Sequence, residues 1–467
     1  MKYDAIVIGA GPGGYVAGIR LGQLKRKVLV VEKKYIGGVC LNVGCIPTKA
    51  LIHSAHLLSK IKNAKRTMGL KINDDISYDI ETLRKWKDKA VNKLTKGVEF
   101  LWKSNGVEWI KGFAKILNEN SVEVIKEDGE SKIFETENII IATGSYPAII
   151  PGFEPDGKYI WTSDDAVSLP FIPSKLIILG AGAIGLEFAY IYKNLGSDVE
   201  VYELMPQILP GIDKEMADEL EKILKKEGIK IYTNAKAKEL IKENGKIKMK
   251  VEVQNKEQIA EGNVLLLAVG RKPCTAGLNL ENINVEIDNR GFIKVDKKRR
   301  TNIKNIFAIG DVAGMPLLAH KASREGIVAA EVISGVENEY SPLAVPAVVY
   351  TIPELLTVGL SEEEAIQRNL KIKIGKFPFS ANGKAVASDE IYGFVKIIVN
   401  EENDEIVGIH ILGPEASSMA GEASLAVEKR IKAEDLGKCI HPHPTLSEAI
   451  MEAAENVHKR AIHIVNK

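Results

Sequence analysis

The chain carries the same local pattern twice, and this repeat limits its fold more than any other feature of the sequence. An apolar run, Ala5–Ile8, leads into Gly9–Gly14, which reads Gly-x-Gly-x-x-Gly, and a helical pattern follows. A second apolar run, Val28–Val31, then ends at Glu32. A buried parallel strand, a glycine turn, a helix, a second strand and an acid are together the parts of a Rossmann-like dinucleotide site.

The second copy keeps the spacing of the first. It starts at the apolar run Leu176–Leu179 and ends at Glu203, which follows Gly180 by 23 residues, just as Glu32 follows Gly9 by 23 residues. Equal spacing in two independent copies argues against chance and indicates two bound dinucleotides. In each copy the three glycines permit the turn, let the backbone approach a pyrophosphate, and let helix and strand pack; they are Gly9, Gly11 and Gly14, then Gly180, Gly182 and Gly185.

Length and charge narrow the class of protein further. At 467 residues the chain is too long for one hydrophobic core, so we expect two to four domains. The net charge of +1 and the lack of a basic run with interleaved aromatics give no reason to expect nucleic acid. No apolar run reaches membrane-spanning length, and the first residues lead straight into a strand pattern without a signal peptide. We therefore expect a cytoplasmic protein without a membrane span.

Two of the four cysteines, Cys40 and Cys45, lie close together with four residues between them. A zinc site usually has two intervening residues and needs a second ligand pair, which the sequence does not offer. Two inert core cysteines are another alternative. The third is a redox dithiol, favoured because Pro47 can start a helix whose N-terminus stabilises a thiolate. Lys49 adds positive charge nearby.

The segment Gly38–Lys49 resembles the redox-active segment of the flavoprotein disulfide reductases, and within them it is most similar to the dihydrolipoamide dehydrogenases. Val39 stands where that family more often has Thr, and Thr48 where it more often has Ser. Neither difference alters a thiol. The resemblance extends over essentially the whole chain.

This resemblance implies an α/β fold with two Rossmann-like dinucleotide-binding domains and an α+β C-terminal dimerisation domain. The implied boundaries are 1–146 for the first part of the FAD-binding domain with the dithiol, 147–270 for the NAD-binding domain, 271–339 for the second part of the FAD-binding domain, and 340–467 for the interface domain.

The resemblance also assigns the cofactors, with FAD on the first glycine motif and NAD on the second. Asp311 is expected on the flavin ribityl hydroxyls, and Lys49 with Glu187 is expected to form an ion pair beside the flavin ring. The implied FAD residues are Gly9, Gly11, Gly14, Glu32, Lys49, Gly112, Thr143, Gly144, Asp311 and Ala319. The implied NAD residues are Gly180, Gly182, Ala183, Ile184, Gly185, Glu187, Glu203 and Gly270.

Glu203 helps to choose the nicotinamide. A carboxylate at the end of the second strand favours a free ribose 2′-hydroxyl and repels the 2′-phosphate of NADP. The residues 204–210 contain no Arg or Lys that could hold such a phosphate. NAD is therefore predicted over NADP.

His443 and Glu448 form the second catalytic candidate, five residues apart near the end of the chain. A carboxylate that accepts from one imidazole nitrogen fixes the tautomer and raises the basicity of the other nitrogen. A lone histidine is more often structural, but this pair lies in a His-Pro-Thr-Leu-Ser-Glu segment that resembles the family's terminal motif.

Taken together, the resemblance implies a homodimeric enzyme that oxidises a dihydrolipoyl dithiol, either free or on a lipoyl-bearing protein. The partner subunit's His443, oriented by Glu448, would take a thiol proton, and the substrate thiolate would attack Cys40. Cys45 would pass the electrons to FAD and thence to NAD, and the small Ala183 leaves room for the nicotinamide. A 2-oxo acid dehydrogenase or glycine cleavage complex is the expected source of the lipoyl group.

Two other functions stay open at this point. The same fold could reduce another low-molecular-weight disulfide, such as glutathione or a coenzyme A-type disulfide, although glutathione reductases tend to use NADP. A mercuric reductase is disfavoured because the C-terminus lacks a cysteine pair. Alternatively, the chain could be a flavoprotein subunit that acts mainly by docking into a multienzyme complex, and an intact dithiol argues against a purely structural role.

Overall fold

The apolar runs of the first glycine motif form the centre of the N-terminal sheet. In the computed structural model, which describes residues 2–71, 76–243 and 245–466, Lys2–Ile8 pairs in parallel with Val28–Glu32 on one side and with Ser131–Ile141 on the other. Ile306–Ala308 also pairs with Ser131–Ile141, so distant parts of the chain build one sheet. Its strands are Lys2–Ile8, Val28–Glu32, Glu108–Lys111, Phe113–Asn118, Ser121–Ile125, Ser131–Ile141 and Ile306–Ala308.

The sequence of residues 111–116 predicts one strand of a small β-meander, but in the structure Gly112 separates two strands. Glu108–Lys111 pairs in parallel with Val28–Glu32, whereas Phe113–Asn118 turns away into an antiparallel meander. A Cβ on Gly112 would lie 2.7 Å from a Val124 side-chain carbon, so the bend requires a residue without a side chain.

The second glycine motif builds a middle sheet of the same kind. All its strands are parallel, and Lys175–Leu179 lies between Asp198–Tyr202 and Val264–Leu267. The strands are Ile160–Trp161, Lys175–Leu179, Asp198–Tyr202, Lys230–Tyr232 and Val264–Leu267. An antiparallel sheet of Ala235–Glu243, Lys246–Val253 and Lys256–Gly262 follows, and Ser145–Pro147 pairs with Arg271–Pro273 where the chain passes between the two larger sheets.

The last part of the chain forms an antiparallel C-terminal sheet with helices packed against it. Its strands are Ala347–Val349, Glu354–Gly359, Ile372–Pro378, Phe394–Asn400 and Ile406–Gly413. Two sheets with parallel strands at their glycine motifs, followed by a C-terminal antiparallel sheet with helices, confirm the predicted fold class.

The helices flank these sheets. Within the described ranges, no helix has both the length and the apolar composition that a membrane span needs. The helices are Pro12–Gln23, Gly38–Asn42, Cys45–Thr67, Ile80–Ser104, Ser163–Ser168, Ala183–Asn194, Lys214–Lys226, Ala319–Ile333, Glu362–Gln367, Gly383–Ala387, Ala420–Glu428, Ala433–Gly437 and Glu448–Val457.

The long helix Ile80–Ser104 differs from its sequence pattern. Its spacing predicts an apolar face that covers the sheet, formed by Leu83, Trp86, Ala90, Leu94, Val98 and Leu101. Val98 is buried and Leu83 and Ala90 are partly buried, but the other three are exposed. Trp102, outside the predicted face, is fully buried instead, because the helix meets the N-terminal sheet only near its C-terminal end.

Candidate active site

The cysteine pair lies directly on the first glycine motif. Cys40 is in the short helix Gly38–Asn42, and Cys45 begins the helix Cys45–Thr67. Gly37 has a left-handed φ of 86°, and its N–H donates to Ala10 O at 2.9 Å. A Cβ on Gly38 would lie 2.6 Å from the Cα of Gly11. Glycines therefore let the redox segment contact the turn where the pyrophosphate of FAD is expected.

The two thiols differ in acidity. A hydrogen bond from the Cys40 thiol, helped by the charge of Lys49, lowers the pKa of Cys45 to about 7, although burial and the charge of Glu187 oppose this. The same hydrogen bond, together with burial, raises the pKa of Cys40 far above its usual value. The pair therefore holds its proton on Cys40 and carries a thiolate on Cys45 near neutral pH.

The predicted ion pair of Lys49 and Glu187 is present beside this thiolate. Lys49 Nζ lies 2.9 and 2.8 Å from the two carboxylate oxygens of Glu187. Glu187 is buried on the helix Ala183–Asn194, so this contact joins the second glycine motif to the redox helix.

The glycines of the first motif have two different roles. A Cβ on Gly9 would lie 2.3 Å from Ala142 O, and one on Gly14 would lie 1.9 Å from Gly9 O. Both must be glycine for the protein to pack. A Cβ on Gly11 would meet nothing within 4 Å, so the protein leaves free space there. Such a turn fits a dinucleotide pyrophosphate against the backbone.

The second motif repeats this geometry. A Cβ on Gly180 would lie 2.4 Å from Ala268 O, one on Gly185 would lie 2.0 Å from Gly180 O, and one on Gly182 would meet nothing within 4 Å. The residues therefore fit a second dinucleotide in the same manner.

Glu32 and Glu203, the acids at the end of the second strand of each motif, accept hydrogen bonds from the backbone of the glycine turns. Glu32 accepts from Ala10 N at 2.7 Å, and Glu203 accepts from Ala181 N at 2.6 Å. The remaining oxygen of Glu203 accepts from Met205 N at 2.9 Å. Their contact with a ribose remains a prediction, but their position at the turn is the one that such a contact requires.

Several expected FAD residues surround one cleft. Gly9, Glu32, Gly112 and Thr143 all line it. Thr143 Oγ1 donates to Cys274 O at 2.6 Å, and Cys274 N donates to Gly144 O at 2.9 Å, so Cys274 closes this cleft through its backbone.

Asp311 lies on a polar chain that the sequence did not reveal. Ser145 Oγ donates to Asp311 Oδ2 at 2.5 Å, and Arg271 donates to both Ser145 Oγ and Ser145 O at 2.8 and 2.7 Å. Ser145 and Arg271 belong to the strands that join the two larger sheets. The chain therefore connects the expected ribityl contact to this junction.

A second missed network supports the turn before Asp311. Glu325, fully buried on the helix Ala319–Ile333, accepts from Gly310 N at 2.7 Å. Lys321 donates to Gly314 O at 2.7 Å. A signal exists in the sequence, because these two charges stand four residues apart in an otherwise largely apolar helix. Ala319 is the first residue of that helix.

The other expected NAD residues lie at the mouth of the second motif. Ala183 and Ile184 begin the helix Ala183–Asn194. Gly270 has a φ of 111°, with open space where a Cβ would stand. Glu187 is one turn further along the helix and faces Lys49.

His443 and Glu448 form the predicted pair. His443 Nδ1 donates to Glu448 Oε1 at 2.9 Å, and Glu448 Oε2 accepts from Thr445 N at 2.8 Å. Burial raises the pKa of Glu448, but the hydrogen bonds from Thr445 and His443 outweigh it and leave this pKa below its usual value. The carboxylate is therefore ionised and fixes the imidazole with Nε2 free to accept a proton.

This pair does not reach the dithiol of its own chain. The His443 side chain is 76% exposed, and no hydrogen bond or ion pair within the described ranges joins it to Cys40 or Cys45. The imidazole that Glu448 orients is therefore on the surface of this chain.

Two models of one protein family match most of the chain. A model described as pyridine nucleotide-disulphide oxidoreductase matches residues 3–326, and a model of the dimerisation domain of the same family matches residues 345–454. Among relatives, dihydrolipoyl dehydrogenase of Thermus scotoductus is 47% identical over 469 residues, which cover 100% of this chain and 99% of the relative. Dihydrolipoyl dehydrogenase of Bacillus subtilis is 44% identical over 467 residues, covering 100% and 98%.

Solved structures agree with this comparison. LpdA of Mycobacterium tuberculosis superposes with a TM-score of 0.90 at 26% identity, covering 97% of this chain and 99% of the other. The flavoprotein disulfide reductase RclA of Escherichia coli, solved as a Cu(II) complex, gives 0.86 at 27% identity, covering 97% and 99%. Because the first family model alone matches well over half of the chain, this protein belongs to the pyridine nucleotide-disulphide oxidoreductase family.

Proposed function

We propose that the chain is an FAD- and NAD-dependent dihydrolipoyl dehydrogenase that oxidises a dihydrolipoyl dithiol to the lipoyl disulfide. The observation that carries this proposal is the Cys40–Cys45 pair, whose segment contacts the first glycine motif at Gly11 and whose Cys45 feels the charges of Lys49 and of Glu187 on the helix of the second motif. Relatives with this activity in their names are 43–47% identical over the full chain, which supports the substrate class. The glycine turns support two dinucleotides, and Glu203 supports NAD over NADP.

The chain's own residues account for the thiol chemistry. With Cys40 and Cys45 joined as a disulfide, His443 takes a proton from one substrate thiol, and the resulting thiolate attacks Cys40 Sγ. The Cys40–Cys45 bond breaks and Cys45 leaves as a thiolate, which a pKa of about 7 favours. The second substrate thiol then displaces Cys40, giving the lipoyl disulfide and a reduced protein dithiol.

The cofactors complete the electron balance. When bound, FAD would supply the acceptor for the electron pair of the dithiol, and NAD⁺ would supply the final hydride acceptor. Gly11 and Gly182 would admit the two pyrophosphates, Asp311 would bind the ribityl chain, and Lys49 with Glu187 would lie beside the flavin ring.

Each active site is proposed to need two subunits. The chain carries the family's dimerisation domain, and in this proposal the partner subunit's His443 takes the proton of the substrate thiol that attacks Cys40 of the first chain. A lipoyl-bearing protein, such as a component of a 2-oxo acid dehydrogenase or glycine cleavage complex, is the proposed partner. A cytoplasmic location stays a prediction, supported by the suitability of a reducing compartment for a catalytic disulfide.

A paired assay tests the function. The purified protein is offered dihydrolipoamide with NAD⁺ in one reaction and glutathione disulfide with NADPH in the other. We expect NADH formation in the first reaction alone. Activity in the second reaction alone would overturn both the substrate and the choice of NAD. Cys45→Ser should abolish the activity, whereas Cys439→Ser, an exposed cysteine elsewhere, should leave it unchanged.

A further inference from the structure

Tyr350 reaches the redox site from the C-terminal part of the chain. It follows the strand Ala347–Val349, and its aromatic ring lies under Lys49, with Nζ 4.4 Å from the ring centroid. The next residue, Thr351, is fully buried and its hydroxyl donates to Pro353 O at 2.8 Å, which fixes the backbone that carries the ring.

The same residue also holds the partner of Lys49. The main-chain N–H of Tyr350 donates to Glu187 Oε1 at 3.1 Å, and that oxygen lies 2.9 Å from Lys49 Nζ. One residue therefore contacts both the ammonium and the carboxylate. Its own ring is half-buried against the hydrophobic core that includes the middle sheet.

The position of this ammonium matters for the thiol. The charge of Lys49 lowers the pKa of Cys45, whereas the charge of Glu187 raises it. The net effect of the two charges on the pKa of Cys45 depends on how close each is to the thiol, because the electrostatic interaction weakens with distance. A lysine chain has many rotamers, and a cation–π contact on a fixed ring restricts them.

We propose that Tyr350 is a positioning residue for the redox reaction, whose ring and main-chain N–H hold the Lys49–Glu187 pair beside Cys45 so that the thiolate keeps its countercharge. The inference rests on the proposed function only for the identity of the reacting dithiol.

The ring face, and not the hydroxyl, carries this effect. Burial first, then the charges of Glu354, Glu187 and Cys45, raise the pKa of Tyr350, so the hydroxyl stays protonated at neutral pH. No hydrogen bond in the described part of the chain uses that hydroxyl as donor or acceptor. Phenylalanine should therefore replace tyrosine here, whereas an aliphatic side chain should not.

The test is a thiolate titration of Cys45. In the holoenzyme with Cys40→Ser, which leaves one thiol of the pair, thiolate absorbance in the ultraviolet is followed against pH, with the Cys40→Ser, Cys45→Ser protein as blank. Tyr350→Leu should move the midpoint upward by up to about half a pH unit, the shift to which the whole energy of an ordinary cation–π contact corresponds. Tyr350→Phe should restore the original midpoint.

The matched control is Tyr392→Leu, because Lys226 Nζ lies 5.1 Å from the Tyr392 ring centroid, away from the thiols. It should leave the midpoint unchanged. A Tyr350→Leu midpoint equal to that of the parent would overturn the proposal.

A second series covers the case in which Tyr350→Leu does not fold. Phenylalanines of increasing fluorine content at position 350 keep the shape of the ring but remove negative charge from its face. The midpoint should rise steadily along this series, and a flat series would also overturn the proposal. Because the titration needs no lipoyl substrate, its failure is distinguishable from failure of the proposed function in the paired assay.

Discussion

The hydrogen bond between His443 and Glu448 leads us to expect that His443 is needed for turnover. His443→Gln removes the free Nε2 base while keeping a polar side chain of similar length. Turnover with dihydrolipoamide and NAD⁺ should fall by about 10²–10⁴-fold, the usual contribution of a general base. His441→Gln is the matched control, because His441 also binds a carboxylate, Glu422, at 2.8 Å. A loss below about threefold in His443→Gln would remove this residue from the mechanism.

Lys49 makes a second prediction, about pH. The thiolate of Cys45 should form with a midpoint near pH 7, below the ordinary value for a thiol, so the charged form dominates above that pH. Lys49→Gln removes a favourable charge and should raise the midpoint by about one unit. Lys60→Gln is the control on the same helix, since Lys60 pairs with Glu390 at 2.8 Å. An unchanged midpoint in Lys49→Gln would contradict the assigned cause.

At the scale of single residues, the sequence predicts contacts between residues that are close together in the chain or that belong to a recognised motif, and few others. His443 and Glu448 are five residues apart, and their hydrogen bond is visible from that spacing. The contact of Arg271 with Ser145 joins residues 126 apart, and neither stands in a recognisable pattern. The role of Tyr350 could not be predicted from the sequence for the same reason, because its ring and its backbone contact residues that are far away in the chain.

Among the elements, the two glycine turns allow a sharp comparison. Gly185→Ala puts a Cβ 2.0 Å from Gly180 O, so the turn must distort and the protein should lose thermal stability. Gly182→Ala meets nothing within 4 Å, so the fold, bound FAD and melting temperature should be retained. Its methyl group would occupy the space expected for the NAD pyrophosphate, and NADH affinity should fall at least tenfold by fluorescence titration. Normal NADH binding by Gly182→Ala would place the pyrophosphate elsewhere.

The predictability of an element depends on what surrounds it. Strand runs such as Leu176–Leu179 lie inside a parallel sheet that is covered by helices on one face and by an antiparallel sheet on the other, so both faces are buried and the composition of the run alone indicates burial. The helix Ile80–Ser104 has the right periodicity but half of the residues on its predicted face are exposed, because periodicity does not say where along its length a helix is packed. That point depends on tertiary packing, which buries Trp102.

For the molecule as a whole, a buried ion cluster connects the C-terminal sheet to the middle part of the chain. Lys396 Nζ is 2.9 Å from Asp213 Oδ2 and 2.8 Å from Glu362 Oε2, and its side chain is 1% exposed. Lys396→Met leaves Asp213 buried without its countercharge, and should cost about 3–5 kcal/mol, seen as a lower melting temperature. Lys376→Met, on the neighbouring strand and 42% exposed, should cost less than about 1 kcal/mol. Equal effects in the two variants would contradict this assignment.

The domain boundaries at 146, 270 and 339 stay predictions. Position 146 lies inside the strand Ser145–Pro147, whereas the strands on either side of 270 and of 339 belong to different sheets. The two family models end and begin at residues 326 and 345 and do not test the inner boundaries. Sequence repeats predicted two similar sheets because each has its own motif. The shared use of Ser131–Ile141 and Ile306–Ala308 in one sheet follows only from the assembled chain.

The assembly of two chains makes the final prediction. If His443 serves Cys40 of the other subunit, Cys45→Ser and His443→Gln chains are each inactive as homodimers but complement each other in a mixed dimer. One of its two sites then combines an intact dithiol with an intact His443. The chains are co-expressed with different affinity tags, and the mixed dimer is isolated and assayed. It should have about half of the wild-type activity, since one of its two sites works. Activity no higher than in either homodimer would show that the exposed His443 acts within its own chain.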